Sequence, residues 1–132
     1  MGAFGRPSVF LRARNAKSTD NVGLARRALP PSIMDLQEFT LTTSRDSPPS
    51  GLIPALEALW YLRKGDWDHA HAIVQEHEDD NANALVHAHL HRIEGDLANA
   101  GYWYRRAGKK TADAALEEEW KSLVAHFLRE NA

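Results

Sequence analysis

The sequence predicts an all-α fold: two antiparallel helix pairs and a C-terminal capping helix, together spanning residues 52–132. Three observations predict it. Gly65-Asp66-Trp67 followed by Ala70 recurs thirty residues later as Gly95-Asp96-Leu97 followed by Ala100, and Ala58 and Ala88 stand seven residues before each glycine. A repeat of about this length marks helix pairs that bury their apolar faces on a neighbouring pair. Apolar residues from Leu52 onward recur at three- and four-residue spacing, the helical period. Each Gly-Asp step then supplies a helix stop followed by an N-cap for the next helix.

Each element follows in order. Residues 1–33 hold six basic side chains against one acid, a charge of +5 set against −7 for the remainder. That head is expected to lie outside the fold. Its Arg-rich, acid-poor composition resembles a transit peptide, and a disordered tail or an early start ahead of Met34 remain as alternatives. Residues 34–51 are expected to form an extended arm or short helical turn and a loop. The threonines at 40, 42 and 43 disfavour a longer helix, and the arm should lay Phe39 and Leu41 on the main body. Pro48 and Pro49 mark the loop.

The first helix is expected over 52–64, with Leu52, Leu56 and Leu59 on one stripe. Asp66 caps a second over 67–77, where Ala70, Ile73 and Val74 face inward. A polar turn, Glu78 to Asn81, leads to a third over 82–93. The fourth, over 97–107, should bury Leu97, Ala100, Tyr104 and Ala107. The last helix, capped by Thr111 or Asp113, runs to about 129. Leu116, Trp120, Leu123, Val124 and Phe127 form its stripe, and Glu117, Glu118, Glu119 and Lys121 are assigned to its solvent face.

The second repeat carries a family likeness. Gly95, Asp96, Ala100, Tyr104 and Ala107 fall where the second helix of a tetratricopeptide repeat places its turn, small, aromatic and small residues, and Ala88 matches the small position of the first helix. The first copy matches at Gly65, Asp66, Ala70 and Val74, with His77 at the second small position. Residues 52–110 thus resemble two tetratricopeptide-like units with a period shorter than the usual ~34. The resemblance implies paired antiparallel helices and a concave face that binds peptides.

Composition excludes several functions. With 43% hydrophobic and 26% charged residues and a net charge of −2, the chain fits a soluble domain and gives no footing for nucleic acid. No apolar run reaches the roughly 18 residues a membrane helix needs. There is no cysteine, which removes disulfides and thiolate chemistry and suits a cytoplasmic address. Neither a Gly-x-Ser-x-Gly elbow nor a phosphate loop is present. No catalytic residue is assigned.

Two constellations remain. Six of the seven histidines fall between His69 and His91. His87, His91 and Glu94 share one helical face and supply three ligands for a divalent ion such as zinc. His69 and His71, on the preceding helix, offer a fourth. The alternative is that these histidines are half-exposed and bonded to Asp66, Asp96 or the backbone. The second set is Arg92, Asn99, Trp103, Gln75 and His71, a candidate ligand site in which arginine would clamp a carboxylate or phosphate. Stacking of the arginines on aromatics and ordinary ion pairs would explain it as well.

The leading functional expectation is a non-enzymatic protein- or peptide-interaction module. The alternative is a small-ligand or metal-binding protein, an enzyme included, using the His-rich third helix. Large side chains in excess of what two units bury point to a partner, either a peptide or a second copy in a dimer, with Trp60 or Trp103 near the contact.

Overall fold

The computed structural model describes residues 34–130, and the basic head lies outside them. Six helices and no strand occur among the described residues: α1 (Leu36–Thr42), α2 (Pro54–Arg63), α3 (Trp67–Gln75), α4 (Asn81–Ile93), α5 (Leu97–Arg106) and α6 (Leu116–Glu130). The all-α class is as expected. Packing is densest between α4 and α5 and between α2 and α3; α6 folds back across α1, α2 and α4.

The repeated Gly-Asp steps build equivalent turns. Gly65 and Gly95 adopt φ of 88° and 86°, left-handed values that cost a side chain strain and glycine nothing. Asp66 N–H donates to the Tyr61 carbonyl and Asp96 N–H to the His91 carbonyl, both at 2.9 Å. Each six-to-one bond satisfies one carbonyl of the helix's last turn. The carboxylates of Asp66 and Asp96 then accept from His69 N–H and Asn99 N–H, capping α3 and α5.

The arm forms a seven-residue helix, longer than the extended arm or short helical turn expected. Asp35 accepts from Glu38 N–H at 2.8 Å while Glu38 accepts from Asp35 N–H at 2.9 Å, a reciprocal capping box. The threonines do not break α1. Thr40, Thr42 and Thr43 donate their hydroxyls back to the carbonyls of Leu36, Phe39 and Thr40. Phe39 is fully buried beside Trp120, and Thr42 accepts from the Trp60 indole. Leu41 points away and is 67% exposed, so only half of the expected docking pair is used.

The main core joins Phe39, Leu56, Leu59 and Trp60 to Leu90 and the α6 stripe of Trp120, Leu123, Val124 and Phe127. A smaller seam of Ala84, Ala88, Ala100 and Ala107 lets α4 and α5 approach closely around Trp103 and Tyr104. Three expectations fail at the edges. Leu97 is 67% exposed, because α6 turns back over α2 and α4 and does not continue the stack beyond α5. Trp60 is fully buried and Trp103 is 7% exposed, so neither is a surface anchor for a partner. The last helix starts at Leu116, too far on for Thr111 or Asp113 to be its N-cap.

Candidate metal centre

The polar turn after α3 folds the chain back so that α3 lies along α4, and this packing gathers three histidines. His71 comes from α3; His87 and His91 come from one face of α4. Each offers a ring nitrogen within 4.8 Å of the other two. His71 Nε2 and His87 Nε2 stand 3.0 Å apart. Two nitrogens on one tetrahedral zinc ion lie about 3.3 Å apart, given Zn–N bonds of roughly 2.0–2.1 Å. Closing the set round an ion therefore asks for small side-chain adjustments.

Two indoles wall the cluster. Trp67 stacks on His71 with ring planes 9° apart and donates from Nε1 to the Leu90 carbonyl at 2.9 Å. Trp103 stacks on His87 at 4.0 Å between centroids. His87 and His91 are buried and His71 is half-buried, so the cluster opens on the His71 side. Burial pushes the His87 pKa down to about 3, helped by the neighbouring His71 and His91. Burial likewise lowers that of His71, with His91 adding to the effect. Both rings are therefore neutral at physiological pH and carry the lone pair a metal needs.

The expected ligand set changes by one member. Glu94 does not face the cluster; its carboxylate sits 2.5 Å from His91 Nδ1 and fixes that ring with Nε2 as the free nitrogen. Carboxylates behind a ligating imidazole orient it in this way. His71 takes the third place. Glu94 also belongs to a second group with His91 and Asp96, whose two carboxylates are exposed, and such acidic groups are common at helix ends. His69 leaves the set altogether: it stacks on Tyr61 at 3.7 Å.

The candidate ligand residues do not form one site. Trp103 is a wall of the histidine cluster. Gln75 is exposed, and Asn99 caps nothing with its own side chain, contributing only its backbone N–H to Asp96. Arg92 is occupied elsewhere. It donates to Glu119 at 2.7 Å and to the Ala114 carbonyl, and so is not free to clamp an anion.

That occupation reveals a second polar centre. Glu119, assigned to the solvent face of the last helix, is 6% exposed and turns inward. Its carboxylate lies 2.7 Å from His89 Nδ1 and 2.7 Å from Arg92, and it accepts from the Tyr104 hydroxyl. Burial alone would raise its pKa, but the bonds from His89, Tyr104 and Arg92 outweigh it and hold the carboxyl below its ordinary value. Burial, then Glu119, pushes the Tyr104 hydroxyl upward. Every polar group here has a partner, which marks a structural tie between α6, α4 and α5. Helical period is the signal that finds it, since Glu119 stands four residues before Leu123 and shares its stripe.

No family model, curated protein or solved structure matches the chain. The functional reading therefore stands on geometry.

Proposed function

We propose that the protein binds a divalent transition-metal ion, zinc foremost, through His71, His87 and His91, on a scaffold of two tetratricopeptide-like helix pairs. The observation that carries this reading is the convergence of three imidazole nitrogens within 4.8 Å, two of them on buried residues. Three nitrogen donors suit zinc, copper and nickel over magnesium and calcium, which prefer oxygen. Three protein ligands also leave one coordination position for water or a further donor. Lack of cysteine is in keeping with a cytoplasmic protein, and among the described residues no helix is long and apolar enough to cross a membrane.

Zinc titration tests the proposal. One ion per chain should bind, seen by native mass spectrometry, and should raise the melting temperature by linkage. Emission from Trp67 and Trp103 should change on binding, since both rings contact ligand imidazoles. His71→Ala with His87→Ala should abolish both effects. A wild-type protein that shows neither stoichiometric binding nor a thermal shift overturns the reading.

A second reading, the non-enzymatic interaction module, is favoured by one observation. A groove of about 410 Å³ lies between α2, α3, α4 and α6, where Leu62, Trp67, Ile93, Leu116 and Trp120 share the lining with the polar Arg63, His89 and Glu117. Its apolar rim, Ile93 and Leu116, is partly exposed, as an association surface requires. In its simplest form the occupant is a second copy. Sedimentation at rising concentration should then show a dimer that Leu116→Glu disperses; a monomer throughout removes the dimer.

A further inference from the structure

The three histidines are not supported alike. His91 has Glu94 behind it. His87 is only 3% exposed, and its Nδ1 has no hydrogen-bond partner among the described residues. One helical turn earlier, Asn83 is 1% exposed, and neither its Oδ1 nor its Nδ2 has a partner. Buried polar atoms are nearly always bonded, so three orphans at neighbouring positions call for an explanation. Packing gives none. An apolar side chain of the same size would fill the Asn83 position at lower cost.

Asn83 and His87 are four residues apart on α4 and share its inward face. Side chains at that spacing start roughly 5–6 Å apart. One buried water between them would meet all three orphaned atoms, since buried waters make about three hydrogen bonds. Resting on the metal reading above, we propose that Asn83 is a positioning residue of the centre: across one buried water it holds His87 as its Nδ1–H tautomer. His87 Nε2 then keeps its lone pair directed at His71 and the ion. With that tautomer, His87 Nε2 is the acceptor of the 3.0 Å contact with His71 Nε2 in the metal-free protein. Asn83 would thus serve His87 as Glu94 serves His91, so that both α4 ligands are oriented from their own helix.

Long-range proton–nitrogen NMR on the metal-free protein reports the tautomer directly. The wild type should show His87 as a single Nδ1–H form. Asn83→Leu should turn it into a mixture, and Asn83→Asp, which retains an acceptor oxygen, should keep it single. Asn83→Leu should also weaken zinc binding by about 10- to 100-fold, the usual effect of losing an outer partner, without lowering the melting temperature of the metal-free protein. A merely structural asparagine would move neither tautomer nor affinity. Asn83→Ala, which also lacks any polar side-chain atom, gives the same readout should the leucine variant not fold. A wild-type His87 in the Nε2–H form, or a leucine variant with an unchanged tautomer, overturns the inference. Should wild-type protein bind no zinc, the metal reading falls, and the tautomer measurement alone decides the role of Asn83.

Discussion

Removing Glu119 should be the most damaging single change to a charged residue among those described. Glu119→Ala leaves Arg92 with no carboxylate, His89 without its partner and the Tyr104 hydroxyl without an acceptor. His89 is 1% exposed and the Arg92 side chain 16%, so water replaces little of what is lost. Breaking a buried pair from one side costs about 3–5 kcal/mol. A domain of this size is stable by only roughly 5–15 kcal/mol, so the variant should be marginal or unfolded at 37 °C. Glu119→Gln retains the shape and one acceptor and should lose about half as much, by the ~1.5–3 kcal/mol assigned to bonds with a charged group. The control is Glu117, two residues away, which pairs with Arg63 at 2.7 Å but is half-exposed; Glu117→Ala should cost less than about 1 kcal/mol. The pH dependence has a definite sign. The folded Glu119 carboxyl titrates below its unfolded value, so its contribution is complete above the unfolded value near 4.3 and is lost as pH falls through the folded one. Urea unfolding followed by circular dichroism at pH 7 and in steps below pH 5 measures both effects. The gap between wild type and Glu119→Gln should be widest at pH 7 and narrow on acidification. A Glu119→Ala protein within 1 kcal/mol of wild type at pH 7 would refute the argument.

Two further predictions test the packing. Ala100 is 1% exposed in the alanine seam of α4 and α5, so Ala100→Leu should overpack it and cost about 1–3 kcal/mol by denaturant titration; an unchanged midpoint would mean the helices do not meet there. Phe39→Ala should cost about 3–5 kcal/mol through loss of a fully buried ring, while Leu41→Ser, two residues on, should stay within about 0.5 kcal/mol; equal effects would mean α1 is not docked through one face.

Local chemistry made the helix boundaries legible, while long-range placement hid half of the site. Gly65-Asp66 and Gly95-Asp96 state a stop and a cap in adjacent residues, so α3 and α5 begin where expected. Asp35 and Glu38 carry the same kind of message, but the threonine propensities point the other way; their hydroxyls bond back to the helix they were expected to break. Within α4, helical geometry was enough to put His87 and His91 together. It was not enough to choose the third member. Glu94 at three residues from His91 reaches back to Nδ1, a contact within one turn. His71 enters only through the way α3 lies along α4, which the Trp67 bond to the Leu90 carbonyl helps set. Glu119 illustrates the opposite case. Three consecutive glutamates read as a solvated face, yet one of them fell on the apolar period of α6. Whether a glutamate on that stripe is tolerable depends on partners from α4 and α5, which periodicity does not report.

The position of the histidine cluster bears on what an ion would do there. His71 belongs to the first helix pair, and His87 and His91 belong to the second, so the cluster lies across the junction of the two. Inside each pair the Gly-Asp turn and the packed small residues already hold the helices together. Between pairs, the covalent link is the short polar turn at 76–80, and α4 packs on α2 and α3 less densely than α2 packs on α3 or α4 on α5. On the metal reading, the bond from His71 to the ion therefore adds to the sparser packing between the pairs. An ion bound only by the folded state at about 100 times its Kd adds ~2.7 kcal/mol, comparable with the loss predicted for Glu119→Gln. The two polar centres then divide the work. Glu119 fixes α6 to the second pair through its bonds to His89, Arg92 and Tyr104, whereas on the metal reading an ion shared by His71, His87 and His91 would fix the first pair to the second. The first tie needs no ligand to hold; on the metal reading, the second is where ion concentration would change the stability of the fold.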